Sequence, residues 1–107
     1  MELKQYEIVL VNLDSTMSSE VKKTRPCVTL SPNEMNKYLR TIVIAPITHS
    51  SKNYPTRIAI IGKTTDGWIM LDQIRTIDRQ RIIKALGTIS EKEIYAVKSI
   101  IKETFVD

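Results

Sequence analysis

The chain is poor in the residues that build disulfide frameworks, zinc sites and phosphate-binding loops. Its 107 residues include one cysteine (Cys27), one histidine (His49) and three glycines that stand apart from one another. A single cysteine excludes an internal disulfide and a cysteine-rich zinc site, and a single histidine leaves only carboxylates as further metal ligands. Isolated glycines cannot form a glycine-rich phosphate loop. We therefore expect a protein that uses no metal ion and no cofactor.

Long apolar runs are also absent. No segment approaches the ~18 consecutive apolar residues of a membrane-spanning helix, and the first residues start no apolar stretch of the signal-peptide kind. A chain of 107 residues fits one domain with its own core. These features predict a soluble, cytoplasmic protein with a single domain over residues 1–107 and no membrane contact.

Positive charge is concentrated in one part of the chain. The formal net charge is +4, and residues 21–57 hold seven Lys and Arg but one acidic residue, Glu34. A concentrated positive field favours a polyanion or an acidic peptide as partner. Charged surface loops explain the same count equally well, so charge alone does not decide between a binding surface and ordinary solvation.

The apolar pattern predicts a mainly β protein. Short runs of β-branched and apolar residues indicate six strands, at residues 6–13, 25–31, 41–45, 57–61, 68–77 and 82–86. A polar loop covers residues 14–24, and Asp78 predicts a capped helical turn before the last strand. Six strands joined by short turns favour a small, strongly bent antiparallel sheet or barrel, although the pattern does not establish closure.

Two helices are expected. Ser31, followed by Pro32 and Glu34, predicts a capped short helix that ends near residue 38. Ser90 and Glu93 form a second capping-box pattern at the start of a C-terminal helix. That helix carries an apolar stripe able to dock on a sheet, formed by Ile94, Val97, Ile101 and Phe105.

Two side chains stand at predicted strand boundaries, where a rigid platform can direct them into a cleft. Arg25 precedes Pro26 at the start of a strand, and Thr48 follows the strand that stops at Pro46. A guanidinium and a hydroxyl on adjacent strand ends would bind and polarise a phosphodiester without metal or histidine. The alternatives are a surface ion pair for Arg25, a turn-capping hydroxyl for Thr48 and a solvated surface position for His49.

Five short motifs follow one another in a recognisable order. They are IVLVNLDST, SSE, TRPCV, APIT and LDQIRTID, at residues 8–16, 18–20, 24–28, 45–48 and 71–78. In this order and at these separations they resemble the MazF/PemK (Kid-like) family of toxin endoribonucleases from type II toxin–antitoxin systems, and Asn36 falls on a recurrent asparagine of that family. Each motif is weak alone, but the five together are specific and cover most of the chain.

The resemblance implies a fold and an activity. The fold is a small SH3-like or CcdB-type antiparallel β-barrel with a C-terminal α-helix and one or two further short helices. The protein would be a homodimeric toxin that inhibits growth and is bound by a cognate acidic antitoxin. Its activity would be that of an mRNA interferase: metal-independent, sequence-specific cleavage of single-stranded RNA to 2′,3′-cyclic phosphate and 5′-OH ends, with no cofactor.

The resemblance also implies site residues. Arg25 and Thr48 fall on the principal catalytic positions of the family, and Asp72 falls on a position that is catalytic in some members. The residues expected to contact RNA lie in the first loop, in the loop after Thr48 and in the run around Asp72; they are Ser19, Glu20, Lys22, His49, Asn53, Gln73 and Arg75. Tyr54 lies in the second of these loops and is a further candidate for reading bases.

Departures from the family pattern keep two alternatives open. Ser15 and Ser18 replace the usual Pro and Gly, while Ser19 and Met70 stand where some members place His and a working Arg. One alternative is a non-catalytic, CcdB-like gyrase inhibitor, and the other is an inactive relative that binds RNA or antitoxin. The Arg-Pro and Pro-Ile-Thr segments favour the nuclease, because a gyrase inhibitor has little reason to keep them at the cleft.

Overall fold

The computed structural model describes residues 2–13, 23–61 and 65–107, which form a mainly antiparallel β-sheet with a C-terminal helix. The strands of the described residues are β1 (Glu7–Asn12), β2 (Thr24–Thr29), β3 (Thr41–Thr48), β4 (Arg57–Ile61), β5 (Asp66–Met70), β6 (Arg75–Asp78) and β7 (Ile82–Thr88). The helices are α1 (Asn33–Tyr38) and α2 (Glu91–Ile101), with 3₁₀ turns at Leu71–Gln73 and Arg79–Arg81 and a π-helical turn at Lys102–Val106.

Strand β3 is the centre of the sheet. One of its edges pairs with β2, and the other pairs with β6 along its first half and with β5 at its end. The hydrogen-bonded path runs β4-β5-β3-β2-β1-β7 and, within the described residues, does not close on itself. The predicted small antiparallel sheet with a C-terminal helix is confirmed, and its pairing is that of an open sheet.

The core lies on both faces of the central strands. On β3, Ile42 and Ile44 belong to one apolar cluster, whereas Ala45 and Ile47 belong to a second cluster that packs beneath α2. Successive side chains of a strand point to opposite faces, so the two clusters cover opposite sides of the sheet. Strand β1 behaves in the same way, as its apolar residues at both parities predicted.

Helix α2 forms where its local sequence predicts it. The Ser90 hydroxyl accepts a hydrogen bond from the Glu93 N–H at 3.1 Å, and the Glu93 carboxylate accepts from the Ser90 N–H at 2.8 Å. Val97 is fully buried against the sheet. The predicted apolar stripe is wrong at Phe105. This residue lies beyond α2, in the π-helical turn, and is 59% exposed.

Helix α1 corrects one prediction. Pro32, not Ser31, is the residue before its first turn, and no side chain caps it. The Ser31 hydroxyl instead donates to Oδ1 of the buried Asn36 and accepts from the Val43 N–H at 3.1 Å. A buried amide needs hydrogen-bond partners, so Ser31 serves the interior and not the helix end.

Further boundaries differ from the sequence-based prediction. The strand expected to stop at Pro46 continues through it to Thr48, and the strand expected over residues 82–86 continues to Thr88. The strand expected over residues 68–77 is divided by the 3₁₀ turn Leu71–Gln73, and the strand expected to reach residue 31 ends at Thr29. The turn after Asp78 is confirmed, since its carboxylate accepts from the Gln80 N–H at 2.8 Å. Within the described residues, none of the helices has the length and apolarity needed to cross a membrane.

Candidate active site

The register of β2 and β3 brings the two predicted catalytic side chains together. Cys27 pairs with Pro46 and Val28 with Ala45. Extending this antiparallel register by two residues places Arg25 directly opposite Thr48, and opposed residues project from the same face of a sheet. Two residues that are far apart in the sequence therefore meet at the ends of adjacent strands.

A depression of about 250 Å³ opens at this point, lined by Thr24, Arg25, Pro26, Ile47, Thr48, His49 and Ser50. A second depression of about 300 Å³ is lined by Leu13, Lys23, Thr24 and Arg25. Because both are lined by Thr24 and Arg25, they adjoin, and we call the pair the Arg25 groove. Arg25 lies between its two halves, where an extended ligand crossing the groove would meet the guanidinium.

Arg25 is exposed, and no side chain within the described ranges bonds to its guanidinium. A second cation lies nearby. Burial raises the pKa of the Cys27 thiol to about 12, while the charges of Arg25 and Arg75 act on the same thiol in the opposite direction. The thiol is therefore neutral at physiological pH, and Arg25 and Arg75 place positive charge around it on the surface.

Thr48 is held by its neighbours on both sides. Its hydroxyl donates to the Ser50 carbonyl at 3.1 Å, and its backbone pairs with Trp68 on β5. Gly67, at φ +154°, lies so close that a Cβ added there would be 2.6 Å from the Thr48 carbonyl oxygen. The close approach of Gly67 to Thr48 was not predicted from the sequence.

Asp72 lies in the 3₁₀ turn and outside the lining of the Arg25 groove. Its Oδ1 accepts from Arg57 Nε at 2.8 Å and from the Thr56 hydroxyl at 3.0 Å, and its Oδ2 accepts from Arg57 Nη2 at 3.1 Å. The bidentate bond from Arg57 is the largest cause that lowers the pKa of Asp72 to about 2. Asp72 is thus ionised at neutral pH and has hydrogen-bond partners on both of its carboxylate oxygens.

Arg57 ties Asp72 to the loop that follows Thr48. Its Nη1 donates to the Ser51 hydroxyl at 2.9 Å, and its guanidinium lies 5.2 Å from the centroid of the Tyr54 ring. We call this group the Arg57 cluster; its members are Ser51, Tyr54, Thr56, Arg57 and Asp72. Arg57 was not predicted as a site residue, because in the sequence it is only one charge in a basic stretch.

The remaining predicted residues are spread around these two features. His49 is exposed and lines the Arg25 groove, Asn53 lies exposed in the loop of the Arg57 cluster, and Gln73 is exposed beside Asp72. Arg75 is exposed on β6, where it pairs with Ile44. The structure describes neither the predicted RNA contacts Ser19, Glu20 and Lys22 nor the departures Ser15 and Ser18, which lie outside its residue ranges.

The groove offers a guanidinium and a hydroxyl to a ligand. This combination suits the oxygens of a phosphodiester, which need charge-assisted and neutral hydrogen bonds from fixed positions. In the part of the chain that the structure describes, no three His, Cys, Asp or Glu side chains are grouped so that they could hold a metal ion.

Comparison with known proteins identifies the family. A family model described as the PemK-like, MazF-like toxin of type II toxin–antitoxin systems matches residues 4–105. The chain belongs to this toxin family. Endoribonuclease toxin MazF of Escherichia coli (strain K12) is 32% identical over 94 residues, covering 87% of this chain and 85% of that protein. Endoribonuclease MazF of Staphylococcus epidermidis is 31% identical over 101 residues, covering 89% and 84%.

Solved structures show the same PemK/MazF-like fold. A MazE–MazF structure from Deinococcus radiodurans matches with a TM-score of 0.84 and 21% identity over 96% of this chain and 95% of that chain. An endoribonuclease from a mycobacterial species, in complex with its cognate antitoxin, matches with a TM-score of 0.82 and 16% identity over 94% and 92%. The fold and family predicted from the five motifs are confirmed.

Proposed function

We propose that this chain is the toxin of a type II toxin–antitoxin module and an endoribonuclease that cleaves single-stranded RNA. The observation that carries the proposal is the position of Arg25 opposite Thr48, at a groove, in a chain whose curated relatives are named endoribonucleases. The adjoining depressions allow an extended strand to cross the guanidinium.

In the proposed reaction the RNA attacks itself. The 2′-oxygen attacks the adjacent phosphorus and loses its proton, the bond from phosphorus to the 5′-oxygen breaks, and the leaving oxygen gains a proton. The products are a 2′,3′-cyclic phosphate and a 5′-OH end. DNA lacks the attacking group and is not a substrate.

Arg25 and Thr48 act on the phosphate. Charge grows on the phosphoryl oxygens as the phosphorus gains its fifth oxygen, and a preorganised guanidinium stabilises that charge where it develops. The Thr48 hydroxyl donates to the phosphate or to the leaving oxygen in exchange for its bond to the Ser50 carbonyl. Neither role requires a metal ion.

Other predicted residues take supporting roles in this proposal. Asp72 holds Arg57 and does not exchange a proton, because its pKa of about 2 keeps it ionised at neutral pH. His49 lines the groove, and Asn53, Gln73 and Arg75 are exposed; in this proposal all four contact the RNA as it leaves the groove. Bases of single-stranded RNA are splayed and read by such side chains.

The partners follow from the same surface. An acidic antitoxin segment offers carboxylates where RNA offers phosphates, so it would occupy part of the Arg25 groove and exclude RNA. Such a segment orders on binding and covers more surface than a compact ligand. A homodimer and a cytoplasmic location, where mRNA is met, belong to the same proposal.

The two alternatives predict different measurements. A CcdB-like gyrase inhibitor would leave RNA intact and inhibit gyrase, and an inactive relative would bind RNA or antitoxin without cutting. The matched relatives are named endoribonucleases, which favours the nuclease.

The test is incubation of the purified protein with a long RNA in excess EDTA, followed by mapping of the new 5′-OH ends. We expect cuts at a small set of short sequences and none in DNA of the same sequence. The Arg25→Ala protein, purified in the same way, controls for a contaminating ribonuclease. Intact RNA, or the same cuts with the Arg25→Ala protein, would contradict the proposed function.

A further inference from the structure

The Arg57 cluster lies on the same face of the sheet as Thr48. On β4 and β5, Arg57 pairs with Met70 and Ala59 pairs with Trp68, and Trp68 also pairs with Thr48 on β3. Alternate residues share a face, so Arg57, Trp68 and Thr48 project to one side. Two strand spacings and two residues along the strand separate Arg57 from Thr48 by roughly 12 Å. This distance is within reach of a base next to a phosphate bound at Thr48.

Within this cluster, Tyr54 presents an exposed aromatic ring that is supported on one side by a cation. The residue is 48% exposed, and the Arg57 guanidinium packs against its ring at 5.2 Å. Arg57 itself cannot move freely, because Asp72 holds it by two bonds and Ser51 by a third. The ring is therefore supported by a guanidinium that has three anchors.

The ligand chemistry follows from the charge balance of the cluster. Asp72 neutralises Arg57, so the cluster has little charge left for a phosphate or a carboxylate. What it offers is the flat surface of an aromatic ring next to a guanidinium plane. Nucleobases of single strands stack on these two groups.

We propose that Tyr54, supported by Arg57 and Asp72, is a stacking platform for one nucleobase of the bound RNA, close to the scissile phosphate. This inference rests on the proposed function and deepens it by assigning one base-binding position. Tyr54 contacts the base, whereas Arg57 and Asp72 are positioning residues.

The test uses an RNA analogue of a mapped cleavage site with 2′-deoxy at the scissile position, so that it binds without being cut. Placing 2-aminopurine at each neighbouring position in turn shows which base stacks, because stacking quenches its fluorescence. We expect strong quenching at one position near the scissile phosphate. Tyr54→Leu should abolish that quenching and weaken binding about 10-fold or more, the scale of one base–aromatic stack. Tyr54→Phe, which keeps the ring, should retain both.

Tyr38 provides a matched control for Tyr54. It is 76% exposed on α1 and has a cation beside its ring, with Lys37 Nζ at 5.5 Å. Tyr38→Leu should leave binding and quenching unchanged.

Arg57→Gln should weaken the quenching without abolishing binding. In cleavage assays, Tyr54→Leu should raise KM more than it lowers kcat.

Three results would contradict the proposal that Tyr54 is a stacking platform. They are quenching at no position in the wild-type protein, unchanged quenching in Tyr54→Leu, and a loss of kcat in Tyr54→Leu with KM unchanged. The first needs no variant, so it decides the question even if a variant misfolds. If the wild type cuts RNA in EDTA and Tyr54 has no effect on any base, the platform fails while the proposed function stands. If RNA stays intact in that assay, the proposed function fails on its own.

Discussion

Arg25 and Arg57 project from the same face of the sheet, but their surroundings differ. Arg25 is exposed, lines a groove and has no bonded partner for its guanidinium within the residues described. The Arg57 side chain is only 13% exposed and is bound by Asp72, Ser51 and the Tyr54 ring. A guanidinium with a carboxylate partner has little charge to offer to a phosphate, whereas an open one offers all of it. The proposed mechanism therefore assigns catalysis to the open arginine and positioning to the paired one.

The largest effect should come from removing the open cation. Arg25→Ala should lower RNA cleavage about 100-fold or more, the scale for deleting one preorganised charge donor, because the described residues that line the groove include no second guanidinium. Cleavage of a defined RNA under single-turnover conditions measures this.

Arg40 is the matched control for Arg25. Its side chain is 79% exposed and lies 3.9 Å from Asp78, and an exposed pair of this kind contributes little. Arg40→Ala should cut RNA at close to the wild-type rate. Equal rates for Arg25→Ala and the wild type would remove the distinction between the two arginines.

A second prediction concerns the support of Thr48 by β5. Gly67→Ala would place a Cβ 2.6 Å from the Thr48 carbonyl oxygen, at a φ of +154° that suits glycine. We expect a loss of about 1–3 kcal/mol in the free energy of unfolding and a fall in cleavage of about 10-fold, since the contact between β5 and Thr48 must widen.

Gly87→Ala is the control that tests whether backbone strain alone, without displacement of Thr48, lowers cleavage. It also has a positive φ, of 138°, but lies in β7 and away from the groove. Gly87→Ala should lower stability and leave the cleavage rate of the folded protein unchanged. Equal losses of cleavage in the two variants would mean that strain alone accounts for the effect.

The ion pair of the Arg57 cluster should make the free energy of unfolding depend on pH in the acid range. The folded pKa of Asp72, about 2, lies below its ordinary value of 3.8, so its ion pair stabilises the folded state above about pH 4. That contribution should disappear as the pH falls from about 4 to about 2. Urea unfolding at a series of pH values should show a gap between the wild type and Asp72→Asn that is constant at neutral pH and narrows in this window. A gap that persists unchanged to pH 2 would contradict the pairing.

His49 should have the smallest effect. It lines the groove but is exposed, and the proposed chemistry assigns no proton transfer to it. His49→Ala should retain cleavage within about threefold. If the variant loses a limb of the pH–rate profile that the wild type shows, then His49 is an acid or base after all.

Features that depend on neighbouring residues in the sequence were predictable. The Ser90–Glu93 capping box of α2 and the Asp78 turn depend on residues two or three positions apart, and both form as expected. The same reasoning was wrong at Ser31, because the buried Asn36 takes its hydroxyl. The local sequence cannot show whether a serine hydroxyl caps a helix or bonds to a buried amide, because that depends on the packing of the core.

The candidate site also has one part that the sequence could predict and one part that it could not. The strand-end positions of Arg25 and Thr48 were visible in the sequence, and the register of β2 and β3 joins them. The bond between Arg57 and Asp72 was not visible, since it joins two segments through the pairing of β4 with β5 and the 3₁₀ turn. A charge in a basic stretch shows its partner only when the fold is known.

The most direct test of the account is a double-mutant cycle on Arg25→Ala and Thr48→Ala, with single-turnover cleavage of one RNA as the readout. When two residues act as a unit on one phosphate, the losses in rate caused by their substitutions are strongly non-additive. We predict that the double variant cleaves nearly as fast as Arg25→Ala alone, because without the guanidinium the hydroxyl has little transition-state charge to act on. Losses that multiply independently would contradict the claim that the two side chains form one catalytic site.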